Sequence, residues 1–444
     1  MVPQRLTRRA SLALTGGALT TGCLARVPGG FDDTNETDDT IGTPNSSGAS
    51  EGSWPMLGRT AGHVGSTTAV TGAEPTERWH VEVDGPVTTP TVVDGTVYVA
   101  RGKPTDGPPR ATVEAYALDT GERRWSLPLS RDGEPVEFAF SAPNSNRRPV
   151  YYRGRLFASV GQSIAAIDPA GPEQLWTTDP VENVHFNEPP TVTESGVYAG
   201  GPFGLVAFDH DGSRRWAFPE SATDDDHMND PFGSPRVAAV TDDAVYVSMG
   251  KALLELDPSD ATERWRREDD GPSTSTVVLA GDTLVRVGFD GVEAVGTDGS
   301  QRWLADWPGK AVLRPAVAGD TVYVAGLTGH VAAYDLSNGG ERLWHVRLAP
   351  DRFAQGTVAT VTERAVHVLR VDDEAREVRA VALDREDGST TWELTRSGTR
   401  ARGVVPAEGS YTFTTESTPE EERQQSTVGS GQDTTATLWA FDAE

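Results

Sequence analysis

Residues Val317 to Trp344 read VAGDTVYVAGLTGHVAAYDLSNGGERLW, and this stretch decides the fold. Gly319-Asp320 makes a turn, and Thr321 to Ala325 is β-branched and aromatic, as strands are. Thr328-Gly329 makes a second tight turn, and Val331 to Asp335 runs back as the partner strand. A Gly-rich turn from Ser337 to Gly340 follows, and Trp344 opens a further short strand. Both faces of these strands are largely apolar, so the sheet must be covered on both sides. A lone four-stranded sheet cannot do that, whereas copies stacked face to face can.

The copies are present. The turn-plus-strand half recurs as VDGTVYVA from Val93, ESGVYAG from Glu194, DDAVYVS from Asp242, AGDTLVRV from Ala280 and ERAVHVL from Glu363. The second half recurs as AYALDTGERRW (Ala115 to Trp125), VAFDHDGSRRW (Val206 to Trp216) and AVALDREDGSTTW (Ala380 to Trp392), among others. Successive Trp residues lie roughly 40 to 50 apart, the period of a four-stranded propeller blade. Trp79 has no preceding half-repeat, while the halves around Gly409 to Phe413 and Leu438 to Asp442 have no following one. The two deficits are complementary. Trp79, Trp125, Trp176, Trp216, Trp265, Trp303, Trp344 and Trp392 therefore predict an all-β, eight-bladed propeller of four-stranded antiparallel blades. Its ring closes where the N-terminal strand of Trp79 pairs with the C-terminal blade.

The opening W-P-x-x-G-R, here Trp54 to Arg59, and the A-x-D-x-x-x-G-x-x-x-W type of repeat resemble the pyrroloquinoline-quinone (PQQ) dehydrogenase propeller repeat. That superfamily also holds the propeller lipoprotein of the bacterial outer-membrane assembly machine and cofactor-free surface proteins of salt-loving archaea. The resemblance covers nearly everything from Trp54 onward. It implies the fold strongly and the function weakly, because the repeated residues are structural. The repeated Asp residues (Asp119, Asp168, Asp209, Asp257, Asp335, Asp384) are expected to satisfy turn N–H groups, and each Trp to fill an inter-blade space.

The N-terminus lies outside the array. Arg8-Arg9 followed by a short apolar run has the form of a twin-arginine export signal, and Leu19 to Cys23 looks like a lipobox. Residues 1–22 are thus expected to be cleaved and Cys23 lipidated. The apolar run is too short to span a bilayer. Residues 23–52 are Asp, Glu, Thr, Ser, Gly and Asn with little to bury, a solvated tether carrying sequons at Asn35 and Asn45. The propeller occupies 53–444.

Asp and Glu number 66 against 39 Lys and Arg, a net charge of −27, and three residues are lysine: Lys103, Lys251 and Lys310. Such a surface suits high salt, where self-repulsion is screened. No basic stripe exists to neutralise phosphates, so nucleic acid is not an expected partner. Cys23 is the single cysteine, which removes disulfides and thiolate chemistry from the folded part.

Propellers bind ligands at the central funnel. The innermost strands are expected to begin after Thr89-Pro90, Arg148-Pro149, Pro189-Pro190, Ser234-Pro235 and Arg314-Pro315, with Ser273 to Thr276, Gln355 and Arg402 in looser register. Arg148, Arg314 and Arg402, with Arg147, would then gather guanidinium groups at one mouth. They would hold an anionic ligand or acidic partner, or else pair with loop carboxylates. Asn187 and Glu188, with the run from Asp224 to Asp230, form the best oxygen cluster for Ca²⁺, or a solvated acidic loop. The resemblance implies, for the dehydrogenases, an adjacent Cys-Cys disulfide over the quinone, a Ca²⁺ and an Asp base. No aspartate in the repeat stands out as that base. The expectation is an exported, lipid-anchored scaffold on the outer face of the cytoplasmic membrane, binding a protein partner or anionic ligand without a cofactor. The alternative is a divergent sugar or alcohol dehydrogenase using PQQ and Ca²⁺.

Overall fold

In the computed structural model the described residues are 47–70, 74–106, 108–138, 147–181, 186, 188–201, 204–219, 236–268, 277–288, 291–309, 314–326, 328–348, 359–372, 374–417 and 434–443. They belong to one compact unit, Thr40–Glu444. Among them are eight four-stranded antiparallel sheets and one two-stranded hairpin. In chain order the innermost strands of blades 1 to 8 are Thr91–Val93, Val150–Tyr152, Thr191–Thr193, Arg236–Val240, Val277–Ala280, Ala316–Ala318, Thr360–Val361 and Arg400–Ala407. Innermost strands of neighbouring blades touch one another around the axis, while the outermost strands, such as Arg123–Pro128, alternate exposed and half-buried residues.

Local chemistry accounts for the blade. The turn from first to second strand places Asp94-Gly95, Arg153-Gly154 and Glu408-Gly409 at positive φ. This is the backbone of a type I′ hairpin turn, whose twist matches that of the flanking strands. Farther out, Asp168, Asp257, Asp335 and Asp384 each accept a backbone N–H two residues on, as the sequence predicts. Asp209 instead takes the guanidinium of Arg215.

Eight hydrophobic clusters hold the ring, one per interface between blades. Val285, Val287 and Trp303 of blade 5 pack on Val322, Val324 and Tyr334 of blade 6, for example. Each repeat Trp also reaches into the next blade. The indole N–H groups of Trp79, Trp216, Trp303 and Trp344 donate to Leu118, Pro258, Leu336 and Arg385 carbonyls at 2.8–3.0 Å. The Trp303 ring lies over Gly340, where a Cβ would come within 2.4 Å of it. The turn therefore needs glycine at this position both for its φ of +73° and for the room it leaves the indole.

The ring closes as expected. Strand Thr76–Asp84 pairs antiparallel with Thr435–Asp442, with Trp79 opposite Ala440, and supplies the outer strand of blade 8. Trp79, Val92 and Leu438 share the cluster between blades 8 and 1.

One element was not anticipated. Between Ser47 and Val70 the chain, apart from isolated bridges at Trp54 and Ser66, makes no strand of its own but winds around the axis as a belt along the innermost strands. Taken along the belt, Gly52 accepts from Glu408 of blade 8, Trp54 exchanges bonds with Val92 of blade 1, and Pro55 accepts from Tyr151 of blade 2. Ala61, Gly62, Val64 and Gly65 then accept from Val240, Leu279, Val317 and Val361 of blades 4 to 7. His63 covers blade 3 through its side chain, with Nε2 3.0 Å from Thr191 Oγ1. The innermost strand of any blade is a free sheet edge, and the belt satisfies backbone groups on these edges that would otherwise be orphaned.

Candidate functional site

The two ends of the axis differ. The belt follows the later residues of the innermost strands, whereas the arginines lie where those strands begin. Arg148 and Arg314 each precede a proline, which lacks a donor and sits at the first position of an edge strand without breaking a ladder. Arg147, Arg148, Arg314 and Arg402 are all buried, between 2% and 5% exposed.

Three of the expected site residues join in ion pairs, though not with loop carboxylates alone. Arg314 Nη2 lies 3.4 Å from both carboxylate oxygens of Glu188, which puts blade 6 in contact with the residues leading into blade 3. Its Nη1 donates to the Val277 carbonyl at 2.9 Å and to His63 Nδ1 at 3.2 Å. Because a guanidinium only donates, His63 Nδ1 accepts, so the ring proton sits on Nε2 and is donated to Thr191. Arg402 meets Glu416, on the second strand of its own blade, at 3.3 Å through both Nε and Nη2. The Glu416 carboxylate also accepts the Val87 N–H at 3.1 Å.

Arg148 is different. Among the described residues its buried Nε and Nη1 have no hydrogen-bond partner. Burial lowers its pKa to about 9. Arg147, beside it in sequence, is lowered to about 10 by burial and by the like charge of Arg402. The Arg148 guanidinium reaches Gly403 of blade 8. A Cβ built on Gly403 would stand 3.5 Å from Arg148 Nη2 and 2.8 Å from the Cγ2 of Thr89, which leads into blade 1. Thr89 Oγ1 is likewise buried without a partner. Three consecutive blades, 8, 1 and 2, thus converge here.

The strand starts fall where the sequence places them, and Arg148, Arg314, Arg402 and Glu188 come together at one end of the axis. Arg8, Arg9, Cys23, Asn187, the run 224–230, Ser234-Pro235, Ser273 to Thr276 and Gln355 lie outside the described residues. Among the described residues no group of three or more His, Cys, Asp or Glu is placed to hold a metal ion. An open hollow of about 340 Å³ lies elsewhere, between Arg131 to Glu137 and Val160 to Ser163, and contains none of the expected residues.

Sequence reasoning missed His63 and Gly403, and had Thr89 only as part of the Thr89-Pro90 strand start. A signal for the first existed: Gly58, Gly62 and Gly65 punctuate a run holding Trp54, Met56, Leu57 and Val64 without a strand period. Chain that apolar and that glycine-rich suits close backbone packing. A Cβ at Gly62 would lie 2.4 Å from the Leu279 carbonyl oxygen.

A family model described as outer membrane protein assembly factor BamB matches residues 109–291 and 265–416, more than half of the chain. No curated protein sequence matches. Among solved structures, BamB from Moraxella catarrhalis is similar at 12% identity and a TM-score of 0.56, covering 82% of this chain and 99% of that one. A quinohemoprotein alcohol dehydrogenase from Pseudomonas putida reaches a TM-score of 0.63 at 14% identity, over 88% of this chain and 80% of that one. Another, from Comamonas testosteroni, reaches 0.60 at 14% identity, over 89% and 81%. At these identities the likeness is one of fold.

Proposed function

Because this chain belongs to the family of the outer membrane protein assembly factor BamB, we propose that it is a binding scaffold rather than a catalyst. In this reading it is exported through Arg8-Arg9, anchored through Cys23 to the outer face of the membrane, and holds an anionic ligand or protein partner at the strand-start end of its axis. One observation carries it: four arginines are buried at one end of the axis in a chain of net charge −27. Burying cations and clustering them is costly, through desolvation and mutual repulsion, unless something negative meets them.

The residues present suit a PQQ and Ca²⁺ centre poorly. The resemblance implies an adjacent cysteine pair, and the chain has one cysteine, Cys23. Glu188, the described carboxylate of the expected calcium cluster, is engaged by Arg314. No reaction step is therefore assigned to a quinone.

The test is affinity capture of the full-length protein from membranes in molar salt, beside its Cys23→Ser variant. A stoichiometric partner on wild type, with the variant released to the medium, is the expected result. Membrane retention of the variant would remove the anchor. Dye reduction with an alcohol or aldose after loading with PQQ and Ca²⁺, and no partner, would favour the dehydrogenase. A single lipid chain gives reversible anchoring, so the partner is expected to add to retention.

A further inference from the structure

Among the axial arginines, Arg314 and Arg402 are held by groups of the protein itself. Arg314 has Glu188, His63 and the Val277 carbonyl, and Arg402 has Glu416. These are structural ties: one joins the belt to blade 6, the other braces blade 8. Arg148 has no such explanation. A guanidinium is protonated at neutral pH in any protein setting, so burial leaves it a fixed cation in need of acceptors. Buried polar groups in folded proteins are satisfied, and an orphan calls for a cause.

The surroundings show what the cause would look like. Nε and Nη1 of Arg148 and the hydroxyl of Thr89 are all buried and all lack a partner. They come from the lead-ins of blades 2 and 1, and both side chains border Gly403 of blade 8. Gly403 stands at a break in strand pairing: the register slips between Arg402 and Val405, and Gly403 has a φ of +28°. The point where a Gly403 Cβ would stand lies 3.5 Å from Arg148 Nη2 and 3.7 Å from Thr89 Oγ1, so the two donors face the same stretch of bare backbone, with the Thr89 methyl packed against it at 2.8 Å. Among the described residues no carboxylate offsets Arg148, and Arg147 beside it feels a further cation in Arg402. Neighbouring donors without acceptors and an uncompensated positive charge are the parts of an oxyanion site.

We infer that Arg148, Thr89 and the Gly403 bulge form a buried site for one oxyanion group, a carboxylate or a phosphate, contributed by the ligand of this propeller. The guanidinium supplies parallel donors that match the oxygens of such a group in a way a halide cannot, and the Thr89 hydroxyl adds a third donor. Arg314 and Arg402 do not bind it. This inference rests on the binding reading above only in taking the strand-start end of the axis as the place where a ligand enters.

The experiment uses the full-length protein at constant high ionic strength, with inorganic phosphate, acetate and chloride as separate probes. Thermal unfolding and calorimetric titration are followed for wild type, Arg148→Met, Thr89→Val and Gly403→Ala. A bound anion raises the wild-type Tm in proportion to the logarithm of its concentration above Kd. The expected result is such a rise with phosphate or acetate, lost in Arg148→Met, and binding weakened about tenfold in Thr89→Val, as for one hydrogen bond. The two arms separate a phosphate group from a carboxylate as the natural one. Should Arg148→Met not fold, Gly403→Ala, whose Cβ would press on the Thr89 methyl at 2.8 Å and stand 3.5 Å from Arg148 Nη2, crowds both donors without touching the charge and should abolish the response. An equal response to chloride, no response in wild type, or an equal response in Arg148→Met would overturn the site. Arg148→Met that is simply more stable, with no anion effect in wild type, would show an uncompensated structural charge. A partner captured by wild type whose own anion response is flat would refute this inference and leave the scaffold standing. Anion binding with no partner would do the reverse.

Discussion

His367 offers a pH-dependent test of the interface between blades 7 and 8. It lies on the strand Ala365–Asp372 and is fully buried. Its ring packs 5.4 Å from Trp392 and 4.8 Å from Tyr411, between centroids. Nε2 faces the hydroxyls of Thr362 at 3.2 Å and Tyr411 at 3.4 Å, and Nδ1 has no partner. Burial alone drives its pKa from 6.5 to about 3, because nothing nearby compensates an imidazolium. The unfolded chain therefore takes up a proton below pH 6.5 that the folded chain refuses. Stability from this group is complete above pH 6.5 and is lost as the pH falls, by about 1.4 kcal/mol per unit, levelling off near pH 3. Between pH 7.5 and pH 5 the loss is about 2 kcal/mol. The assay is urea unfolding in molar salt at both pH values, for wild type and for His367→Phe, which keeps an aromatic ring against Trp392 and Tyr411. Carboxylate titration is common to both proteins and cancels in the difference. Wild type should lose about 2 kcal/mol more than the variant on acidification. Parallel curves, or a wild type that gains on the variant at pH 5, would refute the argument.

Three further outcomes are expected. Deleting residues from Leu438 onward removes most of the strand that pairs with Trp79, together with buried Trp439 and Phe441. That should destabilise the ring by several kcal/mol, on the order of 3–5 for each aromatic lost, and a deletion that melts like the full chain would show the ring is not clasped there. Gly340→Ala forces a Cβ to within 2.4 Å of Trp303, whereas Gly319→Ala, at a similar φ of +57°, meets nothing within 4 Å. Gly340→Ala should therefore cost about 1–3 kcal/mol more by chemical denaturation, and equal losses would mean that φ strain alone decides. Lowering the salt from molar to about 0.1 M lengthens screening from ~3 to ~10 Å while the charge stays at −27, so the Tm should drop. An unchanged Tm would show that the acidity serves another purpose.

The amino-acid sequence by itself determined the blade, its count and the closure of the ring. Each rests on signals a few residues long that repeat: Asp-Gly turns at positive φ, apolar strands of about five residues, and a Trp every forty to fifty. A repeat that cannot cover its own faces dictates stacking, and the half-repeats at Trp79 and Leu438 dictate the clasp between Thr76–Asp84 and Thr435–Asp442. The sequence also placed Arg148, Arg314 and Arg402 at one end of the axis, because Pro and strand starts are local features. Only the tertiary structure decided what each arginine does. Arg314 finds its carboxylate at Glu188, 126 residues away, and its imidazole at His63, 251 residues away. No window along the chain contains such a pair. The belt from Ser47 to Val70 was illegible for the same reason: its bonding partners are the free edges of strands from other blades, so it carries no period of its own. Whether a buried charge is neutralised depends on which groups the closed ring brings within a few ångströms, since Coulomb attraction and desolvation act through space and not along the sequence. By that criterion Arg148 stands apart from its neighbours.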